Sequence, residues 1–268
     1  MTGEAPSIEV RDLRKDFRGT KVLDGIELVV QPGTVFGYIG PNGAGKTTTV
    51  KILTGLLGGF RGKALVAGID VRLEPREVKR RIGYVPENAI LYEALTVAEL
   101  LRFVGRLHDL EEGILRRRTE EMLEAFDLTA RADSRIATLS KGMRQKVLLL
   151  SALLHDPPVL FLDEPLSGLD VASAMFVKDL LRGLAARGRA IFFCSHVMDV
   201  VERLCDRIAI LDRGRIVANG TYGELSEAGK RGSLERVFAE LTRREELPDD
   251  ARRVARILAV LGDGLDGK

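Results

Sequence analysis

At 268 residues, 45% hydrophobic and 30% charged, the chain can build one large domain, or a domain with a small appendage, around a full core. That composition excludes a disordered chain, a collagen-like repeat and a disulfide-stapled miniprotein. Forty-one Lys and Arg stand against 39 Asp and Glu, and a net charge of +2 is too balanced to point to nucleic acid or a membrane surface.

Runs of β-branched and apolar residues alternate with longer helical patterns, as expected of an α/β protein with a largely parallel sheet. In chain order, strands are predicted at Ile8–Leu13, Val22–Val29, Val35–Ile39, Ala64–Val66, Ile82–Val85, Val159–Leu162, Ala190–Cys194, Ile208–Leu211 and Arg215–Ala218. Tight turns at Gly19-Thr20 and Arg213-Gly214 are expected to close the first and last pairs. Between Tyr92 and Asp156 the strand-like runs stop. Leu95, Val97, Leu100, Leu101, Val104 and Leu107 recur there at helical spacing, so a mostly helical insertion is predicted over about 92–156. Arg116-Arg117-Arg118 within it reads as a solvated helix face. Beyond Gly220, Ser233–Thr242 and Asp250–Leu261 read as two helices, capped by Ser233 and by Asp249 or Asp250 and broken at Pro248.

Cys194 and Cys205 make neither a disulfide framework nor a metal-ligand spacing, which suits a reducing compartment. The longest apolar run, Val147–Leu154, spans eight positions, whereas a membrane span needs about 20. Met1–Glu9 lack the basic-then-apolar pattern of a signal peptide, so a soluble, intracellular product is expected.

The chemistry starts at Gly40-Pro41-Asn42-Gly43-Ala44-Gly45-Lys46-Thr47, which fits G-x-x-x-x-G-K-[ST] between a predicted strand and a predicted helix. The glycines let the backbone curl so that successive N–H groups face phosphate oxygens, and the helix start adds its positive dipole end. Lys46 can reach the β- and γ-phosphates and the Thr47 hydroxyl can ligate magnesium, with Thr48 beside it in the same helix turn. Further on, Val159-Leu160-Phe161-Leu162-Asp163-Glu164 describes a buried strand that delivers acids at its C-terminal edge, where ligands of open α/β sheets sit. Asp163 is expected to hold magnesium through water, and Glu164 to polarise an attacking water as general base. A base adjacent to the metal-holding acid favours water as nucleophile, hence phosphoanhydride hydrolysis rather than a kinase reaction.

Leu139-Ser140-Lys141-Gly142-Met143-Arg144-Gln145 precedes that strand and resembles the L-S-G-G-Q signature of ATP-binding cassette proteins. Ser140 suits a helix cap, here for a helix expected to run to His155, and Ser140 with Gly142 can aim a hydroxyl and a backbone N–H at an anion. Other family motifs follow in order. Pro165-Leu166-Ser167-Gly168-Leu169-Asp170 looks like the D-loop, and His196 in Cys194-Ser195-His196 stands where the switch histidine is found. Phe17 looks like the aromatic that stacks on adenine, and Gly83-Tyr84-Val85-Pro86-Glu87 resembles the loop joining sheet to helical insertion. The likeness spans Ile8 to about Gly220.

This resemblance implies a P-loop NTPase core: a RecA-like, mainly parallel sheet plus an antiparallel β subdomain, with an inserted α-helical subdomain and a short helical tail. The ATPase domain is then expected over 1–220 and the tail over 221–268. By the same resemblance Glu164, His196, Lys46 and Glu87 are catalytic, and Thr47, Glu87 and Asp163 hold magnesium. ATP is held by Phe17, by Gly40 through Thr48, and by Ser140, Gly142 and Asp170. The sequence departs from the family at Glu87, usually glutamine, and at Lys141 and Met143, usually glycine and glutamine. Glu87 still offers an oxygen to magnesium but donates no hydrogen bond. These departures and Ser233–Thr242 look like the exporter-type branch, which moves drugs, lipids, polysaccharides or sodium.

The implied mechanism is head-to-tail pairing of two such chains, identical or homologous, around two ATP molecules. The implied partner is an integral-membrane permease, reached from the cytoplasmic face of the cell membrane; no nucleic acid is expected. The alternative reading is a soluble cassette ATPase acting on a ribosome, nucleic-acid or protein assembly, although tandem motif sets, coiled-coil arrays and Cys clusters are missing from the sequence.

Overall fold

The computed structural model describes residues 5–228 and 233–242. Strand β1 (Ile8–Phe17) pairs antiparallel with β2 (Thr20–Val30), from Ile8 opposite Val30 to Phe17 opposite Thr20. The turn between them is therefore Arg18-Gly19, one residue earlier than expected. Both residues have positive φ, +47° and +84°, as a type I′ turn demands, and β-branched Thr20 joins the strand instead. Arg213-Gly214 closes the last hairpin as expected, with φ of +44° and +77°.

The second sheet carries β3 (Val35–Ile39), and β4 (Arg61–Val66) with β5 (Ile69–Asp70) completes the first, in the order β2-β1-β4-β5. Two-residue β5 is too short for alternation to announce it, so no strand is predicted there. The second sheet adds β6 (Ile82–Val85), β7 (Val159–Asp163), β8 (Ala190–Cys194), β9 (Arg207–Asp212) and β10 (Arg215–Gly220) in the order β10-β9-β3-β8-β7-β6. All its pairs are parallel except β9 with β10. Strands β3, β7 and β8 are buried at every position, which is why they read as unbroken apolar runs. Alternate residues divide between two cores. Phe36, Tyr38, Phe161 and Phe192 pack towards the antiparallel sheet and α1 (Lys46–Leu53), whereas Leu160, Leu162, Ile191 and Phe193 join the helical insertion.

After α2 (Pro75–Arg81), which opens on a proline at its first turn, the insertion consists of α3 (Val97–Leu107), α4 (Glu112–Ala125) and α5 (Lys141–Leu153). Thr96 and Glu99 form a capping box on α3, and the Glu111 carboxylate accepts from the N–H groups of Gly113 and Ile114 to start α4. Arg116 and Arg117 are exposed as expected, but Arg118 is not part of their face. Residues two apart on a helix point some 200° from each other, and the Arg118 guanidinium turns inward to donate to Leu154 O at 2.9 Å. Helix α5 also ends at Leu153, two residues short of the expected His155, whose ring instead lies 3.0 Å from Ile82 O at the start of β6.

Two long connections return as α6 (Val171–Ala186) and α7 (Met198–Leu204). In the tail, α8 (Tyr222–Ala228) was not foreseen, although Thr221-x-x-Glu224 is a capping-box pattern. Glu224 N donates to Thr221 Oγ1 at 3.2 Å and Thr221 N to Glu224 Oε2 at 2.8 Å. The expected helix at Ser233–Thr242 is α9 (Leu234–Leu241). Ser233 holds the cap position without a side-chain cap bond, and Glu202 on α7 accepts from Leu234 N at 3.2 Å instead. The expected helix Asp250–Leu261, with Pro248, Asp249 and Asp250, lies outside the described residues. No helix among the described residues is long and apolar enough to cross a membrane.

Candidate nucleotide-binding and ATPase site

The carboxyl ends of β3, β8 and β7 lie side by side, and the loops that leave them build the site. From β3, Gly40 begins the phosphate loop under the carbonyl of Leu211, against which any Cβ would collide. Gly45 takes φ +112°, and a Cβ there would come within 2.6 Å of Leu23 Cδ2. Ala44 is buried and its carbonyl accepts from Gly214 N at 3.0 Å, so the β9–β10 turn fixes the loop from behind. Helix α1 then starts at Lys46 with no side-chain cap and no acid in its first turn, which leaves a positive dipole end for an anion. Thr49 steadies this turn, its hydroxyl bonding Gly45 O and Tyr38 Oη, each at 3.1 Å. Lys46 Nζ folds back onto Gly40 O at 2.6 Å and Pro41 O at 3.2 Å.

From β7, Asp163 ends the strand 5% exposed. Burial, then the nearby carboxylates of Glu87 and Glu164, push its carboxyl up to about 6, against the opposing pull of Lys46. Glu164 follows in a left-handed conformation, φ +51°, which costs a non-glycine residue about 1–2 kcal/mol. This bend carries its carboxylate towards the end of β8. There Oε2 accepts from Ser195 Oγ at 3.0 Å, while Oε1 accepts from His196 N–H and lies against His196 Nδ1, both at 2.7 Å.

Most of the sequence-derived site residues meet in one cleft of about 700 Å³: Gly40, Pro41, Asn42, Gly43, Gly45, Lys46, Thr47, Thr48, Glu87, Asp163, Glu164 and His196 line it. Val22, Met198 and Phe238 line it too. Val22 and Met198 belong to no motif, Phe238 falls within Ser233–Thr242, and none of the three apolar side chains announces the cleft from its type alone. Ala44 lies behind the loop rather than in the lining. Phe17, Ser140, Gly142 and Asp170 are also outside it. Phe17 ends β1, half-exposed, and the Lys15 ammonium stands 5.0 Å from its ring centre. Ser140 caps α5 by accepting from Met143 N at 3.2 Å. Gly142 backs onto the loop after Glu164, where a Cβ would lie 2.7 Å from Gly168 O, and Gln145 Nε2 donates to Pro165 O at 3.0 Å. The Asp170 carboxylate caps α6, accepting from the N–H and hydroxyl of Ser173, and the first of these bonds does most to hold it below the usual carboxylate range.

The donor set suits magnesium. Glu87, Asp163, Glu164 and the Thr47 hydroxyl offer hard oxygens, and among the described residues Lys46 is the single Lys or Arg lining the cleft against three carboxylates. Among the described residues no group of three His, Cys, Asp or Glu could hold a metal unaided. Oxygens of a bound phosphate chain and water would complete the shell of a magnesium ion held here.

A glycine-rich loop between buried strand and helix, facing a buried acid and a histidine-paired carboxylate, defines a P-loop nucleotide hydrolase. The sequence profile of the ABC transporter family matches residues 23–167. The chain is 38% identical over 258 residues to the daunorubicin resistance ATP-binding protein DrrA2 of Streptomyces coeruleorubidus, covering 96% of this chain and 78% of that protein. It is 36% identical over 218 residues to the linearmycin resistance ATP-binding protein LnrL of Bacillus subtilis, covering 81% and 70%. A solved structure described as the ATP-binding subunit of an ABC transporter superposes with a TM-score of 0.83 at 37% identity, covering 88% of this chain and 99% of that one. The chain belongs to the ABC transporter family, as an ATP-binding and ATP-hydrolysing subunit. The transporter reading stands over the soluble-assembly alternative, since the matching profile and the solved structure are both of ABC transporters.

Proposed function

We propose that this subunit drives export of a drug-type small molecule through a separate integral-membrane permease, from the cytoplasmic face of the cell membrane. The observation that carries the reading is the Glu164 carboxylate, held by Ser195 and His196 at the mouth of a phosphate-binding loop. The export direction and cargo class rest on the likeness to the daunorubicin and linearmycin resistance proteins.

In this mechanism Lys46 exchanges its two carbonyl partners for the β- and γ-phosphates, and the N–H groups of the loop and of α1 take the remaining oxygens. Asp163, Thr47 and Glu87 would hold magnesium, which when bound neutralises charge on the phosphate oxygens. Glu164 accepts a proton from the attacking water, and His196 keeps the carboxylate oriented. Phe17 stacks on the adenine ring. Ser140 and Gly142 lie outside the cleft of their own chain, so a second subunit, a copy or a homologue, supplies them across each nucleotide. Asp170 fixes the loop that backs Gly142. ATP favours the closed pair, and loss of the γ-phosphate releases it.

The permease has an apolar landing surface in the segment that follows Glu87. Ile90 is 99% exposed, and exposed Tyr92 and Phe103 pack edge to face at 5.8 Å with Leu107 also uncovered. The test is a pull-down of tagged Glu164→Gln protein from detergent-solubilised native membranes, with and without ATP. A polytopic membrane protein is expected to co-purify. Recovery of soluble partners alone, with the ATP-bound pair demonstrably formed, would overturn the transporter reading.

A further inference from the structure

Behind Phe17 sits a positive charge that no nucleotide motif accounts for. Lys15 is 9% exposed, and among the described residues no carboxylate pairs with it. Its ammonium donates to Gly58 O and Gly59 O, each at 2.9 Å, and lies 5.0 Å from the centre of the Phe17 ring. Gly59, at φ +67°, wraps so closely that a Cβ there would come within 3.2 Å of Nζ. An ammonium taken from water and matched by two neutral carbonyls is dearer than an apolar side chain of the same length. Packing alone therefore gives no reason for lysine at this position.

The place of the charge supplies a reason. A cation over one face of an aromatic ring is attracted by its π electrons and draws them towards itself. The opposite face becomes electron-poor and a better platform for an electron-rich purine. Phe17 is 42% exposed with the ammonium on one side, so ring surface remains for a base. The anchor on Gly58 and Gly59 also ties the end of β1 to the loop that follows α1, which fixes the ring relative to the phosphate-binding helix.

We propose that Lys15 is a positioning residue for the nucleotide base: it completes a cation–ring–base stack with Phe17 and contributes to affinity for the base, not for the phosphates. This rests on the reading of Phe17 as the base-stacking residue. In the full chain, Lys15→Met is expected to weaken ATP binding roughly three- to tenfold and to raise KM with kcat unchanged. Affinity for inorganic tripolyphosphate, measured by competition against a fluorescent ATP analogue, should not move. Lys15→Gln, which keeps N–H donors for the carbonyls but no charge, serves the same reading if the methionine variant does not fold. Equal weakening of ATP and tripolyphosphate would overturn the proposal, because charge near the phosphates or a disturbed fold would explain it. If Phe17→Leu weakens ATP selectively while both Lys15 variants leave it unchanged, the Lys15 proposal fails and base stacking stands. If Phe17→Leu also leaves ATP affinity unchanged, base stacking fails and the proposal falls with it.

Discussion

Glu164 and His196 meet twice: Oε1 accepts from the His196 backbone N–H at 2.7 Å and lies 2.7 Å from Nδ1 of the same residue. The second contact carries a tautomer requirement, since a neutral imidazole donates to a carboxylate only from a protonated Nδ1. In that neutral form Nε2 is the acceptor, on a side chain 78% exposed. Backbone and side chain of one residue thus hold the carboxylate that the left-handed turn at Glu164 aims away from its strand.

Replacing Glu164 with glutamine keeps the shape and the Ser195 contact but removes the proposed proton acceptor. ATP binding is expected to persist while steady-state phosphate release slows roughly 100- to 10,000-fold, or about 3–5 kcal/mol of barrier. Binding titration beside a phosphate-release assay separates the two effects. Unchanged turnover would remove Glu164 from the base role.

Lys46 makes the opposite case. Its bonds to Gly40 O and Pro41 O hold the side chain across the phosphate loop before any ligand arrives. Lys46→Ala removes both this brace and the cation that meets the phosphates, so nucleotide affinity itself is expected to fall by at least tenfold, about 1.4 kcal/mol. Equilibrium titration with ATP reads this directly, and retained affinity would count against the cradle.

The joint between the helical insertion and the parallel sheet gives a pH dependence. His155 stacks on His108 with ring centres 3.6 Å apart and bonds Ile82 O. Burial, then the neighbouring His108, lower the His155 ring to about 4, while burial lowers His108 as well. Asp109 and Arg80 act on His108, and Asp156 and Arg118 act on His155, in opposing pairs. An unfolded histidine titrates near 6.5. Between there and about 4 the unfolded chain binds more protons, so folding stability is full above about 6.5 and falls as pH drops towards 4. The shift sets an upper bound of about 3 kcal/mol, reduced by solvent screening of the half-buried ring. In thermal unfolding scans, His155→Leu should show a shallower decline than wild type over this range; parallel curves would mean that His155 binds its proton equally in the folded and unfolded chain and would overturn this assignment.

What the sequence made legible here is local. Strands β3 and β8 have the bounds their apolar runs announced, because burial at every position leaves no polar residue within them, and β6 keeps its bounds with Tyr84 half-buried. The phosphate loop and the Asp163–Glu164 edge are legible for a related reason: glycine spacing and strand-then-acid order are properties of contiguous chain. Val22, Met198 and Phe238 reach the cleft from β2, α7 and α9, three segments far apart in sequence, and an apolar side chain carries no mark of which surface it will line. A run of three arginines reads as one face, but helical geometry divides it and turns Arg118 inward. The capping-box pattern at Thr221 and Glu224 could have found α8.

Gly142 tests whether the signature segment serves its own chain's cleft or another's. It starts α5 against the loop that follows Glu164, and an added Cβ would approach Gly168 O to 2.7 Å, so backbone on one side or the other has to shift. Gly142 takes no part in lining the nucleotide cleft. Gly142→Ala is therefore expected to leave ATP affinity of the monomer within about twofold while ATP-dependent pairing and turnover each fall at least tenfold. The pairing is read by size-exclusion chromatography with ATP in a Glu164→Gln background, where slow hydrolysis preserves the closed pair. Loss of monomer affinity in step with turnover would mean that the glycine supports its own chain's cleft through Gly168 and Glu164, and would remove the argument for a partner subunit across the nucleotide.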